Sequence, residues 1–283
     1  MRFAGNNVAL KALPSVPLAM LRGYAASLER RSHAIARFFQ RGSPGIALAW
    51  LAVFGAAALV RLATAIVPVH GWGDALALAV PYALVALAPL AGYALAAGSF
   101  PSGLATAQPS IRFARYGRWR DLDVLEARRS PVFGPAGFMA SLLVGLMLNV
   151  VIRSFEFLAA VPALNGHAPV WGQTMFLVMA ADVVVMNFFY MVCFVMALRN
   201  VPYFPRMLLF VWGLDICAQL LIADQVAGLP GLPLMVAGPL LTLLDGNITK
   251  VLISAVVWLP YLILSDRVNV TYRRRTRLQR AAA

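Results

Sequence analysis

Long apolar runs constrain the fold of this chain more than any other feature. A helix needs about 20 apolar residues to cross a bilayer, since each backbone N–H and C=O must be bonded within the segment. Five runs reach or approach this length, and a sixth is shorter but suitably flanked. The six runs are 45–69, 75–98, 133–161, 170–198, 207–223 and 248–265. We therefore predict an all-α, polytopic integral membrane helical bundle with six transmembrane helices.

Composition supports the same class. Hydrophobic residues make up 61% of the 283 residues and charged residues only 12%, whereas a soluble domain has about 25% charged residues. This composition excludes a soluble domain. The segment 229–245 is apolar but contains three prolines and two glycines. Its uninterrupted part is too short to span, so we predict a non-spanning segment that is re-entrant or interfacial.

Basic residues set the predicted orientation. With six spans and both termini inside, 21 of the 24 Lys and Arg residues lie on the inner side, as the positive-inside rule requires. A seventh span would place the arginine-rich tail outside, and we reject it. The net charge of +13 then follows mostly from topology, so nucleic-acid binding is not expected.

The runs and charges divide the chain into five parts. These are a basic amphipathic arm at 1–44, a transmembrane hairpin at 45–100, a basic interfacial connector at 101–133, a four-helix membrane bundle at 134–272 and a basic tail at 273–283. Residues 27–40 of the arm have the pattern of a short helix on the membrane surface. An arginine-rich start is also typical of organelle transit peptides, although the basic inner loops fit a bacterial inner membrane equally well.

The connector combines arginines with aromatic residues, a composition suited to the headgroup layer. The residues concerned are Arg112, Arg115, Arg118, Trp119 and Arg120. They form a candidate surface for anionic phospholipids or a protein partner. The alternative is a connector that simply lies on the membrane.

Charged and amide residues inside the spans are the candidate site, because a charge at mid-membrane costs about 3 kcal/mol. This predicted polar cluster contains Arg61, Asn149, Arg153, Glu156, Asp182, Asp215, Asp224 and Lys250. We expect Arg153 to pair with Glu156 or Asp182, Arg61 to pair with Asp224, and Lys250 to begin the sixth span at the outer face. The cluster serves either helix pairing or an outward-facing solute or ion site, and Asn187, Gln219 and Thr174 are expected to bond between helices.

Enzymatic chemistry is not expected. Paired membrane aspartates occur in intramembrane aspartyl proteases, but helical rise places Asp182 and Asp215 about 24 and 12 Å from their inner helix ends, too far apart for contact. His33, His70 and His167 are predicted to be scattered across loops on both sides. Cys193 and Cys217 lie in apolar runs, and neither a cofactor nor a metal is implied.

The end of the sixth run carries a recognisable pattern. Its residues are Trp258, Pro260, Tyr261, Ser265, Arg267, Val268 and Thr271. They resemble the closing signature of a bacterial inner-membrane family of four-helix proteins known as domain of unknown function 2569 (DUF2569), with Asp266 and Tyr272 departing from it. The resemblance covers about 134–272 and implies a bacterial integral membrane protein without a known enzyme activity.

The sequence therefore favours an uncharacterised, multi-pass inner-membrane protein without enzymatic activity. Such a protein would bind protein partners or anionic phospholipids through its basic inner surface. The alternative is a small-solute or ion transporter that uses the predicted polar cluster, acting as a homo-oligomer because six spans enclose only a narrow pathway.

Overall fold

A computed structural model describes residues 30–103, 106–111 and 118–278. Six of the described helices are long and apolar enough to cross a membrane, which confirms the predicted all-α class. Residues 30–41 form a shorter helix, α1. The six long helices are α2 (Ser43–Ala63), α3 (Trp72–Ser99), α5 (Phe138–Ala160), α6 (Val170–Leu198), α7 (Phe204–Ala227) and α8 (Leu234–Leu264). The short elements are β1 (Trp119–Asp121), α4 (Val124–Arg129), α9 (Asp266–Arg273) and β2 (Arg275–Arg277). We call the α9 end of the bundle the inner side, as the basic loops predict.

Helix α6 lies at the centre of the bundle. Its sequence is apolar around the whole circumference, as expected of a helix enclosed by others. Helix α3 packs along it, and the two backbones come close together at Gly92 of α3. A Cβ there would lie 2.5 Å from the carbonyl oxygen of Phe188, so only glycine permits this approach.

Helix α8 differs from the prediction. It is one continuous helix of 31 residues, so most of the segment predicted to be non-spanning is the first half of the sixth transmembrane helix. Pro239 lies inside this helix, where the prediction treated it as a break. Proline is tolerated in transmembrane helices because neighbouring groups can satisfy the freed backbone. At about 46 Å, α8 exceeds the hydrocarbon thickness and must tilt or project from it.

The inner end is closed by a small unit that the sequence did not predict. Strand β1 of the connector pairs antiparallel with β2 of the tail, placing Trp119 opposite Arg277. Helix α9 lies beneath the bundle, where the buried Tyr272 donates its hydroxyl to the Ala197 carbonyl at 2.8 Å. Connector and tail thus form one structure under the spans.

Helix α1 is anchored to this end of the bundle. The ring of Phe39 meets that of Phe194 of α6 at 5.1 Å, edge to face. The hydroxyl of Ser32 accepts the Gly137 N–H at 2.7 Å. The described part of the predicted amphipathic helix therefore packs against protein through these residues, and the part of that prediction before residue 30 lies outside the described residues.

Candidate functional site within the membrane

Arg153 of α5 is held by two aspartates from neighbouring helices. Its Nη1 and Nη2 donate to both carboxylate oxygens of Asp215 of α7, each at 2.8 Å. Nη2 also donates to Asp182 of α6 at 2.8 Å. The Arg153 side chain is 8% exposed and the aspartates 2% and 0%, so one guanidinium joins three transmembrane helices.

Neutral side chains extend this ion cluster. The Tyr190 hydroxyl donates to Asp215 at 2.8 Å, and the Gln219 amide donates to Asp182 at 3.0 Å. Asn247 of α8 donates to Gln219 at 3.1 Å. Lys250, one turn further along α8, donates to Asn247 at 3.4 Å and pairs with Glu156 of α5. We call this connected set of side chains the membrane polar network. Its members are Glu156, Lys250, Asn247, Gln219, Asp182, Arg153, Asp215 and Tyr190.

The charges in this network do not balance. Two buried carboxylates face one guanidinium in the ion cluster, while Lys250 and Glu156 form a separate pair. With all groups ionised the cluster carries one excess negative charge. At membrane depth such a charge is costly.

A cleft of about 300 Å³ lies between α5 and α8, beside Arg153. Its lining runs from Leu142 to Glu156 on α5 and from Asn247 to Trp258 on α8. The Glu156–Lys250 pair stands at its outer end. At its inner end the ring of Trp258 meets that of Phe138, with centroids 4.6 Å apart. An ion pair and an aromatic contact therefore bound one cleft, whose lining is largely apolar with a few polar side chains.

Two buried hydrogen-bond donors beside this cleft have no partner in the described structure. They are Nε of Arg153 and Nδ2 of Asn149, and both residues line the cleft with other atoms. Unsatisfied buried donors cost about 1–3 kcal/mol each. A molecule in the cleft would reach these two atoms only after a shift of their side chains.

The structure confirms one predicted pair and corrects the others. Arg153 does pair with Asp182. Glu156, however, pairs with Lys250. Arg61 donates to the Val161 carbonyl at 3.1 Å, and the predicted partner Asp224 is exposed near the end of α7. Arg61 and Asp224 therefore lie outside the membrane polar network.

The predicted depths of Asp215 and Lys250 in the membrane are also wrong. Asp182 and Asp215 were expected to lie too far apart for a shared contact, yet both bond to Arg153. Helix α7 begins at Phe204, one turn before the predicted start, which moves Asp215 outward. Lys250 lies about 21 Å from the inner end of α8, close to the depth of Arg153, because α8 continues well beyond it.

The connector surface is only partly described, since Arg112 and Arg115 lie outside the described residues. The carbonyl of Arg118 accepts the Leu278 N–H at 3.0 Å. The ring of Trp119 lies beneath the guanidinium of Arg275 at 4.4 Å, and Arg120 pairs with Glu126. The backbone of Arg118 and the side chains of Trp119 and Arg120 are thus engaged within the protein, a role the sequence did not suggest.

Next to this sheet, three arginines line a pocket of about 180 Å³. Arg128 donates to the Gly103 carbonyl at 2.6 Å and Arg274 to the Thr106 carbonyl at 2.7 Å. Arg199 also lines the pocket. Burial, followed by the charge of Arg128, lowers the pKa of Arg274. We call this the inner basic pocket; cations are crowded there, and an anion would relieve their repulsion.

The family-like pattern has a structural role at the same end. The rings of Trp258 and Tyr261 both contact Phe138, at the start of α5. The Thr271 hydroxyl accepts the Gly134 N–H at 3.0 Å. These pattern residues therefore join the end of the chain to the start of α5.

The three histidines were predicted to be scattered across loops, but two of them meet. The rings of His70 and His167 lie 5.4 Å apart, beside Asp74. No signal in the sequence joined them, because they follow different spans. Their proximity depends on tertiary packing.

Comparisons with known protein families, with curated proteins and with solved structures find no match.

Proposed function

We propose that this multi-pass membrane protein carries a small polar solute across the bilayer, coupled to a proton. The observation that carries the proposal is the pair of buried carboxylates on one guanidinium, Asp182 and Asp215 on Arg153, beside a largely apolar cleft with a few polar side chains in its lining. The excess charge supplies the cation site. The cleft supplies the solute site.

The proposed solute is a small molecule with oxygen acceptors. The cleft volume of about 300 Å³ is at the lower end of small-molecule sites. Arg153 and Asn149 line the cleft, and a small shift of either side chain would turn its unpartnered donor towards these acceptors. The Glu156 and Lys250 side chains are 35% and 52% exposed. Because an exposed ion pair is unstable against lipid, we infer that water reaches this end of the cleft.

Transport requires access from each side in turn. Opening the Glu156–Lys250 pair would admit a solute from outside, and parting Phe138 from Trp258 would release it inside. Protonation of an aspartate would weaken its bond to Arg153, freeing guanidinium hydrogens for the solute. This couples the cation to the solute through one side chain, and the proposal needs no enzymatic step.

The test is solute-dependent proton flux into proteoliposomes containing a pH-sensitive dye. The solutes are short monocarboxylates, amino acids and sugars. We expect one class to drive proton uptake and Asp182→Asn to abolish it, while Asp224→Asn, an exposed acid near the end of α7, leaves it unchanged. Flux equal to that of empty liposomes with every class would refute the carrier and leave the network as helix pairing.

A second candidate function is binding of an anionic phospholipid at the inner basic pocket. Three arginines line this pocket, and none of its lining residues in the described structure is a carboxylate. A phosphate-bearing headgroup fits this chemistry. The role agrees with a membrane protein that binds lipids or protein partners through its inner surface, as the sequence suggested.

Native mass spectrometry tests the second candidate. We expect phosphatidylglycerol to be retained over phosphatidylcholine and to be lost in Arg128→Gln/Arg274→Gln. The matched control is Arg129→Gln, which removes a neighbouring charge that does not line the pocket. Equal loss of phosphatidylglycerol from the control would show that surface charge alone explains the effect.

We also propose, on the resemblance alone, that 134–272 belongs to DUF2569 and that the membrane is the bacterial inner membrane.

A further inference from the structure

Three metal-binding side chains meet at the outer end of the bundle. His70 follows α2, Asp74 lies in the first turn of α3, and His167 lies between α5 and α6. Oδ2 of Asp74 is 3.9 Å from Nδ1 of His70 and 3.3 Å from Nε2 of His167. One ligand atom from each lies within 4.8 Å of the others. We infer that these residues bind a divalent transition-metal ion, with Zn²⁺ as the best fit.

The distances suit a zinc ion. Ligands about 2.1 Å from a tetrahedral ion lie about 3.4 Å from each other, and the two distances from Asp74 fall on either side of this value. The histidine side chains are 68% and 59% exposed, so they can rotate to close the site. Two imidazoles and one carboxylate favour zinc or a similar ion over Mg²⁺ or Ca²⁺, which prefer oxygen ligands.

Hydrogen bonds already hold the two loops together. The buried amide of Asn165 donates to the Pro68 carbonyl at 3.0 Å. Its oxygen accepts the N–H of His167 at 3.1 Å. The N–H of His70 donates to Asp74 at 3.0 Å. The backbone at both histidines is therefore held in position before a metal arrives, which reduces the entropy lost on binding.

The site would join two parts of the membrane domain. His70 and Asp74 belong to the α2–α3 hairpin, whereas His167 belongs to the four-helix part. A metal bound by all three would fasten the outer end of the hairpin to the bundle. Because an ion that binds only the folded state stabilises it, zinc should raise the unfolding temperature. Three protein ligands leave a fourth position for water.

The experiment uses the full chain in nanodiscs. Any polyhistidine affinity tag is removed first, because it would bind metal itself. Isothermal titration with Zn²⁺ measures affinity and stoichiometry, and Co²⁺ absorption reports the geometry. We expect one Zn²⁺ per chain. His70→Gln, Asp74→Asn and His167→Gln should each weaken binding at least about tenfold, while Asp224→Asn, an exposed acid near the end of α7, should not.

Stability gives an independent readout. Zinc should raise the unfolding temperature of the wild type and of Asp224→Asn but not that of His167→Gln. Absence of stoichiometric binding at a large excess of Zn²⁺ would overturn the inference. Binding that survives all three ligand substitutions would overturn it as well.

Discussion

Two interfaces of the bundle hold helices together by opposite means. Helices α3 and α6 meet through small and apolar residues, with backbones close at Gly92. Helices α5, α6 and α7 meet through Arg153 and its two aspartates. The first interface contributes packing energy and needs no buried charge. The second carries an excess charge and unpartnered donors, which cost stability. The contrast supports the proposal that the polar interface serves a function.

The largest effect is expected when the polar interface loses its cation. Arg153→Met leaves Asp182 and Asp215 buried without a partner, and breaking a buried pair costs about 3–5 kcal/mol. We expect a similar fall in the free energy of unfolding, measured by denaturant titration in mixed micelles. If the single variant is as stable as the wild type, the aspartates do not depend on Arg153.

A triple variant serves as the control for this change. Arg153→Met/Asp182→Asn/Asp215→Asn removes all three charges while keeping similar volumes. We expect it to recover most of the lost stability, because a neutral replacement of a buried ion cluster is often tolerated. A double variant of Arg153 and Asp182 would not suffice, since Asp215 would remain unpaired.

The next effect tests the apolar interface. Gly92→Ala places a methyl group 2.5 Å from the Phe188 carbonyl oxygen, so the helices must separate, at a cost of about 1–3 kcal/mol. Gly98→Ala is the matched control in the same helix, because its Cβ would meet nothing within 4 Å. Equal stability of the two variants, by the same titration, would show that the close approach is unimportant.

A neutral hydrogen bond at the inner end gives a smaller effect. Tyr272→Phe removes the hydroxyl bound to the Ala197 carbonyl, and we expect a loss of about 1 kcal/mol. The ring contact with Phe204, at 5.2 Å, is kept. A loss above that of Gly92→Ala would reverse the expected order.

The same residue gives a pH prediction. Burial raises the pKa of Tyr272 well above its ordinary value, so the fold favours the neutral phenol. The contribution of the neutral Tyr272 to the free energy of unfolding is complete below its pKa in the unfolded chain, about 10. It is lost as the pH rises towards the pKa of Tyr272 in the folded protein. Wild-type stability should therefore fall in this alkaline range. Tyr272→Phe should fall less steeply; identical alkaline profiles would exclude Tyr272 as the cause.

Much of the fold was predictable because membrane spans depend on length and hydropathy, which are local. The run 170–198 has the bounds of α6. The first half of α8 was missed because Pro239 was treated as a helix break, although membrane helices tolerate proline. The sheet between connector and tail was missed because its strands have three residues each.

The candidate site was less predictable. Intramembrane charge identified Arg153, Asp182 and Asp215 as residues of interest. Their grouping depends on where α7 begins and how the helices tilt, and neither is local. Tyr190 and Asn247 were missed because an uncharged residue in an apolar run gives little signal. Spacing does offer one clue, since Asp215 and Gln219 are four residues apart on one face of α7.

The smallest effect on stability is expected for Asp182→Asn. Asp182 accepts one bond from Arg153 and one from Gln219, whereas Asp215 accepts two from Arg153, one from Tyr190 and a longer one from Gln219. Loss of the Asp182 charge weakens two bonds but removes the excess charge, so we expect a change below about 0.5 kcal/mol. Asp215→Asn, the matched control, should cost more because it weakens four bonds. Equal losses would mean that the two aspartates are equivalent, and the cation site could then not be assigned to the less strongly bonded Asp182.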